Sequence, residues 1–387
     1  MPPLAHAKLS ASGAHRWMEC PGSVKLSEHY PETSSIYAEE GTLAHEAAEQ
    51  LIGKGRVTAK HKKAIKAFYD EHKELAGSPE EMLETLTPYV EFVREEFAES
   101  QKADPAAVLL TEQRVDLSAW VPESFGTTDV AIVGGGTLKV IDLKYGKGVA
   151  VSAENNPQLR LYALGTVEML YEVYDIEDVA MTIYQPRLDS VSTEIMSAND
   201  LLDWGEKDVA PAAELALSDD PPFAAGAWCQ FCPARHDCRQ RAEDNLAIES
   251  YRDKHVLSVE EIAEVLAKVD GLVRWAEDLK DGALTRALDG ENFPGFKVVE
   301  GRSNRRYAAG DDEIVKACEA AGWERAFLFE TKLLSVSALE KVMGKKQFAE
   351  VLGGLVEKPP GKPTLVSDTD KRPDIRLASA LNDFEDE

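Results

Sequence analysis

The chain has 387 residues, of which 44% are hydrophobic and 29% are charged, proportions that are ordinary for a soluble globular protein of one or two domains. Its 43 basic and 69 acidic side chains give a formal net charge of −26. This charge argues against a protein that coats nucleic acid along its length, because phosphate binding depends on Lys and Arg. No apolar run reaches about 18 residues, so we expect no membrane span. The N-terminal residues do not show a basic segment followed by an apolar core, so we expect no signal peptide and a cytoplasmic location.

The first third of the sequence predicts helices. Residues 37–55, YAEEGTLAHEAAEQLIGKG, have apolar side chains at helical spacing and end in glycine. Residues 80–100, EEMLETLTPYVEFVREEFAES, form a second amphipathic segment, with Pro88 as a break. A strand-like run, AAVLLTEQRVDL at 106–117, follows these helices.

Two further strands, TTDVAIV at 127–133 and TLKVIDLKY at 137–145, are predicted to form a hairpin because three glycines join them. A helix at 156–174 and a fourth strand at 178–187 come next. The order of helices, three strands, helix and strand predicts a mixed α/β core rather than a barrel or a sandwich.

Residues 221–238, PPFAAGAWCQFCPARHDC, form a cysteine-rich loop, after which the chain is charged and helical in pattern. We expect three segments: a domain at 1–245 that the cysteines close, a mostly helical domain at 246–357, and a tail at 358–387. The tail is proline-rich and then acidic, which predicts partial disorder.

Two basic stretches interrupt this acidic chain. Residues 54–66, KGRVTAKHKKAIK, contain six Lys or Arg and no acid, and residues 301–307, GRSNRRY, contain Arg302, Arg305 and Arg306. Each stretch is either a solvated surface or a contact for a phosphate backbone, and the sequence leaves both interpretations open.

Charged side chains inside the predicted hairpin form an unusual pattern. Side chains alternate along a strand, so Asp142 and Lys144 share one face, and Asp129 on the partner strand can come beside Asp142. Two carboxylates and a lysine suit metal-dependent phosphodiester hydrolysis, in which the carboxylates hold the ion and the lysine orients water or offsets negative charge. The alternative is a set of rim charges on an exposed hairpin face.

Two other motifs favour a metal-dependent site over the alternative of exposed rim charges. Gln158 and Tyr162 are four residues apart and therefore share a face of the predicted helix. His45 lies on an early helix, where a lone histidine is more often surface or core, but beside two carboxylates it can be a third metal ligand.

The motifs GTLAHEAAE, GTTDVAIV, IDLKYG and QLRLYAL together resemble those of PD-(D/E)XK nucleases of the RecB-like branch, over about residues 10–240. The resemblance implies a restriction-endonuclease-like core with a mixed central sheet, an N-terminal helical region and a helical C-terminal appendage. It also implies ligands for Mg²⁺ or Mn²⁺, namely His45, Asp129, Asp142 and the backbone carbonyl of Leu143.

The same resemblance implies that Lys144 is the catalytic lysine and that Gln158 and Tyr162 contact substrate or order the site. Glu112 would be the acidic residue of the preceding strand. Residues 295–307 and 344–373 add a resemblance, over nearly the full chain, to a phage and prophage family labelled domain of unknown function 2800. That resemblance implies a phage- or prophage-encoded protein in a bacterial host.

Four of the five cysteines form a candidate metal site. Cys229, Cys232 and Cys238 have the spacing C-x2-C-x5-C, which indicates metal or redox chemistry in a cytosolic protein, and Cys20 can supply a fourth thiolate. Zinc and iron–sulfur clusters both accept four thiolates. One N-terminal cysteine with a distant trio resembles the iron–sulfur staple of AddB-type and CRISPR-associated RecB-like nucleases. The resemblance implies a 4Fe–4S cluster, with zinc or unligated cysteines as the alternatives.

The resemblance implies a metal-dependent DNA exonuclease that acts on single-stranded ends, with 5′ to 3′ polarity favoured, in phage DNA recombination, replication or degradation. Proteins of those processes are the expected partners, and an oligomer is compatible with the sequence. One alternative is a non-catalytic nucleic-acid-binding or scaffold protein that keeps the fold for its shape; another is an enzyme that acts on a substrate other than DNA. The lysine between carboxylates disfavours the scaffold, which has no need of one.

Overall fold

The computed structural model describes residues 7–31, 35–75, 77–148, 150–247, 256–300, 308, 310–329, 333–357 and 372. Contacts divide the chain into two compact units, Met1–Phe293 and Pro294–Glu387. This division does not coincide with the predicted boundary at residue 245, because a long helix beyond that residue packs within the first unit.

The N-terminal helical region is confirmed. Among the described residues, five helices precede the first strand: α1 Ala14–Glu19, α2 Gly22–Ser27, α3 Ile36–Lys54, α4 Ala59–Glu71 and α5 Pro79–Ala103. Helix α3 begins after Ser35, whose side chain accepts a hydrogen bond from the N–H of Ala38, and ends at Gly55 with a left-handed φ of 68°. Helix α5 continues through Pro88, so the predicted break there is wrong; an apolar face that includes Leu86 and Val90 holds the helix on the sheet.

The mixed central sheet is also confirmed. In the described part of the chain, five strands lie in sequence order: β1 Val108–Asp116, β2 Phe125–Gly134, β3 Thr137–Leu143, β4 Asp178–Gln185 and β5 Ser190–Ser197. Neighbours are antiparallel except β3 and β4, which are parallel and joined through helix α6, Pro157–Leu170. The carboxyl ends of β3 and β4 therefore lie side by side, next to the start of α6. Strand β5 was not predicted.

Each face of the sheet packs on its own hydrophobic core. Helices α1 and α6 cover one face, together with α7 Ala198–Trp204 and α8 Ala210–Leu217, whereas α3, α4 and α5 cover the other. Alternation along β3 sends Leu138 and Val140 into the first core and Ile141 and Leu143 into the second. Residues of both faces of β3 are therefore buried, and a polar residue at its carboxyl end lies between the helices of the two layers.

The rest of the described chain is helical. The first unit continues with α9 Arg239–Leu246 and α10 Val259–Leu288, and the second contains α11 Asp311–Ala320, α12 Val336–Met343 and α13 Lys345–Leu352. Arg302, Arg305 and Arg306 lie outside the described residues, as does the predicted tail at 358–387 except for Arg372. No helix in the described part of the chain combines the length and the apolarity that crossing a membrane requires.

A buried ion pair joins α3 to the end of β4. The guanidinium of Arg187 donates to both carboxylate oxygens of Glu40, at 2.8 and 3.0 Å, and lies over the ring of Tyr145 at 4.4 Å. The hydroxyl of Tyr69 donates to the same carboxylate at 2.7 Å. These contacts satisfy both charges, so the pair fixes the helix α3 relative to the sheet.

Removing Glu40 should therefore be costly. Glu40→Ala leaves the guanidinium of Arg187 buried without its carboxylate, and we expect a loss of about 3–5 kcal/mol in the free energy of unfolding, measured by chemical denaturation. Glu39→Ala, at the adjacent exposed position, should change it by less than about 0.5 kcal/mol. Equal effects of the two substitutions would contradict this role of the pair.

Candidate active site

The carboxylate of Asp129 joins three elements of the fold. Its Oδ2 accepts a hydrogen bond from the backbone N–H of Leu143 at 2.8 Å, and its Oδ1 lies 3.1 Å from Nδ1 of His45. Asp129 lies on β2, Leu143 on β3 and His45 on α3. One side chain thus fixes the positions of a helix and two strands around a common point.

Glu112 completes a group of three potential ligands. One ligand atom from each of His45, Glu112 and Asp129 lies within 4.8 Å of the other two. Glu112 faces Asp129 across β1 and β2, because the residues on either side of one are paired with those on either side of the other. Its φ of 49° is left-handed, a conformation that is uncommon outside glycine and is typically retained at functional sites.

The donors of this group fit a divalent cation. One imidazole nitrogen and two carboxylates are ligands that Mn²⁺ accepts, and the carboxylate oxygens also suit Mg²⁺. The sequence predicted His45 and Asp129 as ligands but assigned Glu112 only as the acidic residue of its strand. Nothing in the sequence signals the left-handed backbone that directs Glu112 towards the other two.

The crowded charges change the proton affinities of the group. Burial, and then the neighbouring Asp129 carboxylate, raise the pKa of Glu112 to about 7. Burial lowers the pKa of His45, but the charge and hydrogen bond of Asp129 outweigh this effect and the net pKa is raised. Protons therefore bind here more tightly than to ordinary side chains, and a cation would compete with them.

Glu49 also lines this pocket, although no role was predicted for it from the sequence. It follows His45 by four residues and so lies on the same face of α3. Its charge adds to the effects that raise the pKa of Glu112. The spacing within GTLAHEAAE is the signal that could have identified it.

Asp142, the penultimate residue of β3, and Lys144, which directly follows the strand, lie beside this group and share one face, as alternation predicts. Oδ2 of Asp142 is 2.9 Å from Nζ of Lys144, but the contact lacks hydrogen-bond geometry, and this buried oxygen has no hydrogen-bond partner among the described residues. Burial raises the pKa of Asp142, although the charge of Lys144 opposes the shift. A buried carboxylate oxygen with one poorly directed partner is a candidate ligand for a cation.

Asp142 is not part of the 4.8 Å group, so the structure does not bring together all of the predicted ligands. Its partner here is the ammonium group of Lys144. Leu143, the fourth predicted ligand, lies between them with its side chain fully buried, and it lines the pocket of His45 and Glu112.

Helix α6 positions the lysine. Nζ of Lys144 donates to Oε1 of Gln158 at 3.0 Å, and Nε2 of Gln158 donates to the hydroxyl of Tyr162 at 3.0 Å. Burial lowers the pKa of Lys144, but Asp142 outweighs it, so the net pKa is raised and the amine stays charged. Gly126 leaves room for the side chain of Tyr162, because a Cβ at position 126 would approach the ring of Tyr162 to 2.7 Å.

The four cysteines that the sequence grouped together line one pocket of the first unit. Cys20, Cys229 and Cys232 are buried, and Cys238 is partly exposed. Backbone contacts hold the two segments together: the N–H of Gly22 donates to the carbonyl of Pro222 at 2.8 Å. Similarly, the N–H of Ala224 donates to Sγ of Cys20 at 3.4 Å.

The cysteines share their pocket with arginine side chains. Three guanidinium groups, those of Arg16, Arg235 and Arg241, line the same pocket. Such charges favour thiolates; burial, the larger effect, raises the pKa of Cys229 and of Cys232, whereas Arg241 lowers the first and Arg16 the second.

A family model described as "Protein of unknown function (DUF2800)" matches residues 6–373. Among solved structures, the chain is similar to a "Putative exonuclease" from Eubacterium rectale, with a TM-score of 0.33 and 11% identity over 59% of this chain and 88% of that one. It is also similar to the protein SSO0001, with a TM-score of 0.21 and 14% identity over 52% of this chain and 96% of that one. Both likenesses are remote, so the function rests on this chain's own residues.

Metal binding at the three-ligand group should depend on pH. Protons on Glu112, whose pKa is about 7, and on His45, whose pKa is raised, compete with the cation, so Mn²⁺ affinity should increase as the pH rises through 7 and decrease as the pH drops below it. One competing proton weakens binding by about tenfold per pH unit. Isothermal titration calorimetry on either side of pH 7 measures the affinity.

Two variants complete this experiment. Glu112→Gln should weaken Mn²⁺ binding and flatten its pH dependence, since one titrating ligand is gone. Asp116→Asn, which removes a carboxylate from the same strand at an exposed position, should change neither. Affinity that does not vary with pH in the unmodified protein would contradict the assignment.

Proposed function

The chain belongs to the DUF2800 family, and we propose that it is a nuclease, a hydrolase that cleaves phosphodiester bonds with Mg²⁺ or Mn²⁺. The observation that carries the proposal is the meeting of His45, Glu112 and Asp129 at one point, beside a buried carboxylate that is paired with a lysine. A bound cation would supply Lewis acidity to the phosphate and lower the pKa of a water ligand. His45, Glu112 and Asp129 would hold it, with Asp142 as a further ligand.

Lys144 acts as a cation rather than as a base in this proposal. Its pKa is raised by Asp142, so at neutral pH it keeps its proton and cannot accept one from water. A charged amine at the edge of the site offsets the negative charge that develops on the phosphate oxygens. If Asp142 served as a ligand of the cation, the amine of Lys144 would lose this ion pair and would be free to contact the phosphate.

Gln158 and Tyr162 are positioning residues. Gln158 accepts from Lys144 and donates to Tyr162, so its amide can hold the amine in one orientation whether or not Asp142 is its partner. Both residues lie on one face of α6, and that helix is packed against β1, β2 and β4. The lysine is thus held by a rigid element rather than by a loop, as a catalytic group requires.

Single-stranded DNA ends are the substrate that we propose, on the likeness of the motifs to those of RecB-like nucleases. Exonuclease action with 5′ to 3′ polarity, and a role in phage DNA recombination, replication or degradation together with proteins of those processes, belong to the same proposal. The scaffold alternative is weaker, because a buried Asp142–Lys144 pair is not needed for stability: apolar replacements of such pairs are often neutral or stabilising.

We further propose that the four cysteines hold a 4Fe–4S cluster, with zinc as the lesser alternative. Three arginines around the pocket favour bound thiolates, and one N-terminal cysteine with a distant trio is the arrangement in which the sequence resembles the iron–sulfur staple. The cluster would be structural, because it would connect residue 20 to residues 229–238. The stability of such a domain depends directly on the bound group.

Loss of the lysine should abolish cleavage. We expect Lys144→Ala to reduce the rate on end-labelled single-stranded DNA by roughly 10²–10³-fold with Mn²⁺ or Mg²⁺, as for the loss of one group that stabilises charge in the transition state. Lys102→Ala, at an exposed position at the end of α5, should leave the rate unchanged. Labels at the 5′ and 3′ ends read the polarity. A Lys144→Ala variant as active as wild type would refute the role of the site.

Cys232 and Cys318 provide a matched test of the cluster. Protein purified without oxygen should be brown and contain iron and sulfide near four of each per chain. Cys232→Ser should lose the colour and unfold at a lower temperature, whereas Cys318→Ser, the cysteine on α11 of the second unit, should keep both. Colourless wild-type protein with stoichiometric zinc would support the zinc alternative instead.

A further inference from the structure

Five exposed basic side chains surround the junction of α3 and α4. This basic corner consists of Lys54, Arg56, Lys60, Lys62 and Lys63. It comes from the first basic stretch of the sequence, which the proposed chemistry does not use. A run of exposed lysines is often no more than a solvated helix face, so the pairing and the position of these five decide between the two interpretations.

The basic corner is without acidic partners. Among the described residues, none of its five side chains has a carboxylate oxygen within 4 Å, whereas Lys66 on the same helix pairs with Asp70 at 3.0 Å. The whole chain has 69 acidic and 43 basic side chains, so acidic neighbours are plentiful. Five adjacent cations without one are not what a merely solvated face of this protein would show.

The basic corner is attached to the helix that carries a proposed metal ligand. His61, which lies between Lys60 and Lys62 in the sequence, has a buried side chain. Its Nε2 is 2.9 Å from the carbonyl oxygen of Leu43, and its Nδ1 is 3.0 Å from a carboxylate oxygen of Glu46. Leu43 and Glu46 lie on the turn of α3 that carries His45. The first turn of α4, with three of the five cations, is therefore attached to the helical turn that supplies a proposed metal ligand.

We infer that the basic corner binds the phosphate backbone of single-stranded DNA and guides it to the active site, an inference that rests on the proposed nuclease function. The net charge of −26 makes this placement directional, because a polyanion is repelled by most of the surface and attracted at the corner. Lys60 to Lys63 span only about 5 Å of helix, at about 1.5 Å per residue, so the corner matches a few phosphates.

The small size of the basic corner selects a flexible strand. A rigid duplex that contacted it would bring its remaining phosphates against acidic surface, whereas a single strand can bend to follow the cations and avoid that repulsion. The charge distribution of the chain therefore favours single-stranded over double-stranded DNA, because the acidic surface repels a duplex and the basic corner binds the single strand.

The test measures binding without cleavage. Fluorescence anisotropy of labelled single-stranded DNA, with EDTA to remove divalent ions, compares wild type with the triple variant Lys60→Gln, Lys62→Gln, Lys63→Gln. We expect at least tenfold weaker binding by the variant. The slope of log K against log salt should fall by about 2, since each phosphate contact on a single strand contributes about 0.7. Wild type should prefer the single strand to a duplex of equal length.

Two further variants control for charge and for folding. Replacing three exposed lysines elsewhere with glutamine, at Lys102, Lys280 and Lys316, makes the same change in net charge and should leave affinity and slope unchanged. Lys54→Gln with Arg56→Gln changes the corner without altering α4 and should also weaken binding. Circular dichroism establishes that each variant is folded.

The outcomes separate this inference from the proposed function. If wild type cuts DNA but the corner variants bind it with unchanged affinity and salt slope, the basic corner is a solvated face and only this inference falls. If wild type neither binds nor cuts, both fall. Binding of wild type to anionic lipid vesicles without binding to DNA would also overturn the inference, since the corner would then serve a membrane surface.

Discussion

The two hydrogen bonds of the Asp129 carboxylate are the interaction on which the site depends. They hold the backbone of β3 on one side and the imidazole of α3 on the other, so the register of the hairpin and the position of the helix are set at one residue. The same register places Glu112 opposite Asp129. A slip of β3 by one residue would turn Asp142 and Lys144 to the opposite face and destroy the arrangement.

Two buried carboxylates show how the fold treats charge for stability and for chemistry. Glu40 is saturated: a guanidinium contacts both of its oxygens and a tyrosine donates to one of them. Asp142 is equally buried, but one oxygen has only the amine of Lys144, at a poor angle. A carboxylate whose oxygens all have hydrogen-bond partners stabilises the packing but has no free oxygen for a ligand. A buried carboxylate with an oxygen that lacks such a partner costs stability but can still bind a ligand.

Much of the core could be predicted because its signals are local. Glycines mark the turn between β2 and β3, and alternation places Asp142 and Lys144 on one face and Leu143 on the other. The misses have non-local causes. Helix α5 passes through Pro88 because tertiary packing outweighs a lost hydrogen bond, and β5, Ser190–Ser197, is polar in sequence and is ordered by pairing with β4. Glu112 joins the ligands through a backbone conformation that its residue type does not favour.

The N-terminal helices pack against α8 and share a pocket with the cysteine-rich loop, and these contacts determine when the first unit can fold. Trp17 and Val24 belong to a core that includes residues of α8, and α1 and α2 both pack against that helix. On the ribosome, these early side chains stay uncovered until α8 has been made, and the cysteine pocket cannot close before residue 238 has emerged. Assembly of the first unit is therefore a late, long-range event, which makes the nascent chain dependent on protection from aggregation and delays any activity until most of the chain is complete.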